Sequence, residues 1–86
     1  MDVDVALRES IARVCGVAAG QVDPNSTLED LGIDSLAAAE IITDVEIRTG
    51  IELPIDVLRG ISKLQTVGEV SVHLQAGGRA PAQNQP

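Results

Sequence analysis

The chain has 86 residues, enough for one small domain with one hydrophobic core. Thirteen acidic residues against six basic ones give a formal net charge of −7. This charge argues against binding to nucleic acid or to an anionic membrane surface, and it favours a basic protein partner. Hydrophobic residues make up 44% of the chain but include no Phe, Tyr or Trp, so the core has to consist of Ile, Val, Leu and Ala.

The cysteine and histidine counts and the hydropathy pattern exclude further classes of protein. One cysteine and one histidine cannot form an internal disulfide or a His/Cys metal cluster, so we expect no metal site. No secretory signal precedes the first helical pattern, and no apolar run approaches the length of a membrane-spanning helix. We therefore expect a cytoplasmic protein without a membrane segment.

The first predicted helix begins at Asp2 or Asp4 and ends at Cys15, with Gly16 as its terminator. Four apolar residues at helical spacing form its buried face: Val3, Leu7, Ile11 and Val14. Three charged residues lie off this face and are expected in solvent: Arg8, Glu9 and Arg13. Cys15 is interpreted as a small buried hydrophobe, because no neighbouring group would lower the pKa of its thiol.

A long loop is predicted over residues 17–34, because Gly20, Asp23-Pro24 and Asn25 interrupt any regular pattern. A loop of this length in a small domain either carries function or is fixed by its own side chains. Four apolar side chains are available to fix it to the core: Val22, Leu28, Leu31 and Ile33.

The second predicted helix covers residues 35–49 and ends at Gly50. Its apolar face repeats at helical spacing: Ala38, Ile41, Ile42, Val45 and Thr49. Either Asp34 or Ser35 supplies the N-cap. In both cases the Ser35 hydroxyl lies at the positive end of the helix, where free backbone N–H groups and the macrodipole would stabilise a phosphate ester.

Two more helices follow. Pro54 predicts the start of a short third helix, Ile55 to Arg59, which Gly60 ends, and residues 61–65 are predicted to be a linker. Thr66 and Glu69 form a capping box at the start of the fourth helix. Its apolar residues are Val67, Val70 and Leu74, and Gly77-Gly78 ends it. The predicted fold class is all-α: a small four-helix bundle with a long first loop and a short third helix.

The stretch Asp30-Leu31-Gly32-Ile33-Asp34-Ser35-Leu36 resembles the attachment motif of acyl carrier proteins. The resemblance extends over residues 3–74 and includes the segments at 50–54 and 66–70, although the linker at 61–65 is a few residues longer than is usual in the family. It implies an acyl carrier domain over residues 1–76. Residues 77–86 would then be a disordered tail or the stub of an interdomain linker.

The resemblance also implies the chemistry. Ser35 would receive a phosphopantetheine arm from coenzyme A through a phosphopantetheinyl transferase, with Asp34 and Leu36 recognised during the transfer. Acyl or polyketide intermediates would be carried on the arm as thioesters. Further implied partners are ketosynthase, acyltransferase and other synthase enzymes, and the isolated chain is expected to be a monomer.

The second helix would carry the partner-binding residues: Leu36, Ala39, Glu40, Asp44, Glu46 and Ile47. Glu40 and Glu46 match acidic positions of the family, whereas Ala37 and Ile47 stand where many members carry acids. Docking is therefore expected to depend more on apolar contact than is usual in the family.

The alternative functions are a peptidyl carrier, an interaction module and a serine enzyme. A peptidyl carrier is disfavoured, because such carriers more often have histidine before the serine. An unmodified helical interaction module would use Asp34-Ser35 only as a helix cap, which is the commonest use of these residues. A serine enzyme is not predicted, because Ser35 is not in a Gly-x-Ser-x-Gly motif and the single histidine lies far along the chain. That residue, His73, is interpreted as a surface or half-buried structural residue.

Overall fold

The computed structural model describes residues 1–79. Four α-helices follow one another in chain order: α1 (Val3–Cys15), α2 (Ser35–Thr49), α3 (Ile55–Gly60) and α4 (Val67–Gly77). Short 3₁₀ turns follow α1 at Ala19–Gln21 and extend α3 at Ile61–Lys63. Helix α1 packs on α2 and α4, whereas α3 packs on α4. The predicted all-α bundle with a long first loop and a short third helix is confirmed.

The core is aliphatic, as composition predicts. Its buried residues are Ala6, Leu7, Ile11, Val22, Ile41, Ile42, Val45, Leu53, Val57, Ile61, Val67, Val70 and Leu74. They include the central residues of the three long apolar faces, so the predicted registers of α1, α2 and α4 are confirmed. Val22 is buried, and Leu28, Leu31 and Ile33 pack against the core, which confirms that the first loop is fixed by its own side chains.

Two glycines at helix ends also have a packing role. Helix α4 ends at Gly77 with Gly78 as its C-cap, as the sequence predicts. Gly60 is the last residue of α3, one residue later than predicted; its backbone is helical, with φ −68° and ψ −21°, and the chain continues into the 3₁₀ turn at Ile61–Lys63. The predicted linker at 61–65 is therefore wrong for its first three residues. Both glycines are needed for close packing, because a Cβ at either one would overlap a side chain of the facing helix.

The end of the described chain is also more ordered than the sequence predicts. The backbones of Glu52 and Arg79 pair through two hydrogen bonds of 2.9 Å, one from each amide to the other carbonyl. Gly77 thus belongs to α4 and Arg79 is paired with the domain, whereas both are predicted from the sequence to lie in a tail or linker stub. The rest of that predicted tail, residues 80–86, lies outside the described residues.

The charged side of α1 is not simply solvated. Arg48 of α2 donates to Glu9 at 2.9 Å and to Asp44 at 2.6 Å, and Arg13 approaches Asp44 at 3.6 Å. Arg13 is exposed, as expected, whereas Glu9 is half-buried, and both make ionic contacts with α2. Because the carboxylate of Asp44 lies between two guanidinium groups, the ionic contacts join α1 to α2.

Candidate functional site

Asp34 caps helix α2. Its backbone is extended, with φ −93° and ψ −173°, and its Oδ1 accepts a 2.8 Å hydrogen bond from the amide of Ala37. Gly32, two residues earlier, has a φ of 74°, a left-handed conformation that favours glycine and reverses the chain before the cap. Of the two predicted caps, Asp34 is therefore the one used, and Ser35 is the first residue of the helix.

The loop that carries the cap is tied to the start of α4. The amide of Leu28 donates to the carbonyl of Gln65 at 2.9 Å, and the amide of Val67 donates to the carbonyl of Ser26 at 3.0 Å. Within the loop, the amide of Ile33 donates to Leu28 at 2.9 Å. Backbone hydrogen bonds on both sides of the loop therefore fix the segment that leads to Ser35, and the Ser35 side chain takes no part in them.

The Ser35 side chain is exposed, and its hydroxyl makes no hydrogen bond to any of residues 1–79. A serine that served only as a cap would place its oxygen on an amide of the first turn, but Asp34 already occupies that position. The Ser35 oxygen is accessible at the N-terminus of a 15-residue helix, where the partial positive charge favours an anionic ester.

A cleft of about 760 Å³ opens beside Ser35. It lies between the first loop, α2 and the α3 region. Most of its walls are apolar side chains, contributed by Leu28, Ile33, Ala38, Ala39, Ile42, Leu58, Ile61 and Leu64. No local sequence pattern predicts this cleft, because it depends on where α3 lies relative to α2. Its chemistry suits an aliphatic chain better than a charged or strongly polar ligand.

The outer side of α2 carries an exposed stripe with both apolar and acidic residues. Leu36 and Ile47 are 72% and 75% exposed, and Ala39 and Glu40 lie between them, also exposed. Thr43, which was not predicted, completes the spacing of three and four residues that places side chains on one helix face. We call these five residues the outer face of α2.

Two of the predicted partner-binding acids are used inside the molecule. Asp44 has only 16% of its side chain exposed and accepts hydrogen bonds from Ser10 at 2.7 Å and Arg48 at 2.6 Å. The Ser10 hydroxyl, and then Arg48, lower the pKa of the Asp44 carboxyl. Glu46 is half-buried and accepts a 3.1 Å hydrogen bond from the amide of Leu53. Glu40 alone among the three predicted acids is exposed, and the i, i+4 spacing of Asp44 and Arg48 was the signal for the internal pair.

Residues 5–74 match the family described as "Phosphopantetheine attachment site". The chain belongs to the acyl carrier protein family. A meromycolate extension acyl carrier protein of Mycolicibacterium aurum is 36% identical over 75 residues, which cover 86% of this chain and 74% of the relative. An acyl carrier protein of Thermobifida fusca is 39% identical over 62 residues, covering 71% of this chain and 78% of the relative.

This acyl carrier protein bears phosphopantetheine as its covalent prosthetic group. The site fits such a group. A phosphodiester on an exposed hydroxyl at the start of a long helix would lie near unpaired backbone N–H groups, and the apolar cleft opens directly beside it. When bound, the group supplies a terminal thiol on which an acyl chain is held as a thioester.

The remaining reactive side chains of the carrier protein have structural roles. His73 is half-buried, and its Nε2 donates to the carbonyl of Val57 at 2.7 Å, which confirms its interpretation as a structural residue. Cys15 is half-buried, and burial raises the pKa of its thiol. Over residues 1–79 there is no group of three or more metal-ligating side chains. No helix in that range is long and apolar enough to cross a membrane.

Proposed function

We propose that Ser35 is the phosphopantetheine attachment residue and that the protein presents acyl intermediates to the enzymes of a fatty-acid or polyketide synthase. The observation that carries the proposal is the state of the Ser35 hydroxyl, which is exposed at the start of α2 and makes no hydrogen bond to the part of the chain that the structure describes. The oxygen of that hydroxyl would attack the phosphorus of coenzyme A that bears the pantetheine and become the ester oxygen of the arm, while the pyrophosphate bond of coenzyme A breaks and 3′,5′-adenosine diphosphate leaves. The hydroxyl proton would leave to a base of the transferase.

The neighbours of Ser35 have separate roles in this proposal. Asp34 fixes the first turn of α2 through the amide of Ala37, so the attachment oxygen keeps a constant direction. Leu36 projects into solvent next to the serine, where a transferase can contact it without moving the core. The amides of the first helical turn would stabilise the negative charge of the phosphodiester.

An acyl chain is favoured over an amino acid as the cargo. The apolar walls of the cleft beside Ser35 match an aliphatic chain. One relative is named for meromycolate extension and another simply as an acyl carrier protein. Neither name points to peptide synthesis, and the Asp-Ser-Leu sequence is in agreement with that.

The proposed partners are a phosphopantetheinyl transferase and synthase enzymes such as a ketosynthase and an acyltransferase. We infer that they bind the outer face of α2, where Leu36, Ala39 and Ile47 give apolar contact and Glu40 gives charge. The chain itself would act as a cytoplasmic, monomeric carrier and not as an enzyme, because the chemistry lies in the arm and in the partners.

The attachment site can be tested by intact mass. After incubation with coenzyme A and a promiscuous phosphopantetheinyl transferase, the protein should gain one phosphopantetheine. Ser35→Ala should gain none while remaining folded. Its free energy of unfolding should stay within about 0.5 kcal/mol of the wild-type value, because Asp34 is the cap. Ser62→Ala, a change at another exposed serine, is the matched control and should still be modified.

Peptide mapping of the modified protein identifies the residue that carries the arm. An arm found on Ser10, Ser26, Ser62 or Ser71 would overturn the assignment to Ser35. Absence of any modification in the wild type would overturn the carrier role of this chain.

A further inference from the structure

Helices α3 and α4 interlock through two glycines. A Cβ placed on Gly60 of α3 would lie 2.7 Å from both Cε1 and Nε2 of His73 on α4, closer than real Cβ atoms approach other groups. In the opposite direction, a Cβ on Gly77 of α4 would overlap Cγ2 of Val57 on α3. Each helix therefore contributes one side chain and one glycine, and each side chain packs over the glycine of the facing helix.

The His73 ring cannot move aside freely. Its Nε2 lies 2.7 Å from the carbonyl oxygen of Val57 and must donate the proton, since a carbonyl oxygen only accepts. Moving the ring to admit a side chain at residue 60 would break this hydrogen bond. The contact with Gly60 and the hydrogen bond to Val57 thus depend on a single position of the imidazole.

Helix α3 places Val57 in the core, and its main contact with another helix is with α4. Among the described helices it packs on α4 and its own 3₁₀ extension, with no comparable contact to α1 or α2. Yet Leu58 of α3, together with Ile61 and Leu64 just beyond it, forms the wall of the cleft that faces α2. Because α2 is held to α1 by core and ionic contacts, the width of the cleft depends on where α4 places α3.

We propose that His73 is a positioning residue: its interlock with Gly60, matched by that of Val57 with Gly77, fixes α3 on α4 and so sets the width of the cleft beside Ser35. The part of this proposal that concerns an acyl chain in the cleft rests on the function proposed above. The part that concerns the position of α3 does not, and it can be measured on the unmodified chain.

A double-mutant cycle tests the interlock. The readout is amide hydrogen exchange over residues 55–63, compared with exchange in α1. Gly60→Ala should make these amides exchange about tenfold faster, the factor that corresponds to about 1.4 kcal/mol. His73→Ala should also accelerate exchange there. In the double variant the added methyl has room, so Gly60→Ala should cause no further acceleration in the His73→Ala background.

Matched controls separate the interlock from general effects. Gly20→Ala introduces a Cβ that meets nothing within 4 Å, and Val72→Ala shortens a side chain that is 68% exposed on α4. Neither should change exchange in α3. Additive effects of Gly60→Ala and His73→Ala would overturn the proposal, as would equal acceleration in α1 and α3. If Gly60→Ala does not fold at all while the double variant does, the interlock is again supported.

The link to the cleft needs the loaded protein. With an octanoyl arm on Ser35, verified by mass, hydroxylamine should cleave the thioester faster in His73→Ala than in Val72→Ala. Unchanged cleavage alongside faster exchange in α3 would overturn the link between the interlock and the cleft. Failure to load Ser35 at all would count against the proposed function, and the exchange cycle would still decide whether His73 positions α3.

Discussion

The Ser10 hydroxyl of α1 donates a 2.7 Å hydrogen bond to Oδ2 of Asp44 on α2. Ser10 is fully buried, at 0% exposure, and the same carboxylate accepts from Arg48 at 2.6 Å. A buried hydroxyl without a hydrogen bond would be destabilising, so this contact favours one register of α1 against α2. Aliphatic side chains can replace one another in the core and do not select a register in this way. It also uses a charge that the sequence predicts on the partner-binding side of α2.

Ser10→Ala should lower the free energy of unfolding by about 1–3 kcal/mol, because the hydroxyl is hydrogen-bonded to a charged group and no water can replace it. Urea unfolding measures the change. Ser62→Ala is the control: its serine is exposed and bonds only within its own segment, so its effect should stay below about 0.5 kcal/mol. Equal losses in the two variants would mean that the Ser10–Asp44 contact does not stabilise the fold.

Acidification should lower the free energy of unfolding, because two carboxyl groups have lowered pKa values in the folded protein. The Ser10 hydroxyl, and then Arg48, lower the pKa of Asp44, while the amides of Gln65 and Thr66 lower the pKa of Glu69. A folded-state pKa below the unfolded value stabilises the fold fully above the unfolded pKa, about 4, and this stabilisation disappears as pH falls through the folded pKa. Unfolding free energy measured from neutral pH downward should fall over that range.

The Ser10→Ala variant provides the control for this pH dependence. Without the hydroxyl the pKa of Asp44 should rise, so wild type and variant should differ most near neutral pH and converge in acid. A difference that stayed constant down to the lowest pH would contradict the assignment to Asp44.

The capping box at the start of α4 should behave as one unit. The Thr66 hydroxyl accepts from the amide of Glu69 at 3.2 Å, and Glu69 accepts from the amides of Thr66 and Gln65 at 3.0 and 2.7 Å. Thr66→Ala should lower the unfolding free energy by about 0.5–2 kcal/mol. Glu69→Ala should also destabilise the protein, and the double variant should lose less than the sum of the two. Strict additivity would show that the two side chains act independently.

Much of this architecture could be predicted from local patterns. Helical spacing identified Leu7, Ile41 and Leu74 as core residues, and Thr66 with Glu69 identified the start of α4. These signals are strong because each depends only on residues three or four apart. The proposal of Ser35 as the attachment residue rests on signals of the same kind, since its motif and its place at a helix start are both local.

The errors arose where the answer depends on a facing helix. Gly60 and Gly77 look like helix terminators in sequence, and Gly77 does end α4, but only the positions of His73 and Val57 show that both glycines are also packing contacts. Asp44 was expected on the partner face because its contacts with Ser10 and Arg13 become visible only when α1 lies alongside α2. The cleft beside Ser35 could not be predicted for the same reason.

The last prediction concerns how partners recognise the outer face of α2. Glu40 is its one exposed acid, and Leu36 is its most prominent apolar side chain beside the attachment residue. Exposed ion pairs contribute only about 0–1 kcal/mol and are screened by salt, so they act mainly on encounter rate and orientation. Glu40→Lys should therefore slow transfer of the arm chiefly at low salt, and Leu36→Ala should slow it at every ionic strength.

Two control variants separate the role of the outer face of α2 from general effects of charge and of exposed apolar side chains. Asp2→Lys makes the same charge change at the exposed start of α1, and Val72→Ala shortens a comparably exposed side chain on α4. Transfer kinetics over a salt series should leave both controls near the wild-type rate. If Asp2→Lys slowed transfer as much as Glu40→Lys, net charge and not the α2 face would be recognised. If Leu36→Ala transferred like the wild type while Glu40→Lys was insensitive to salt, the outer face of α2 would have to be abandoned as the docking surface.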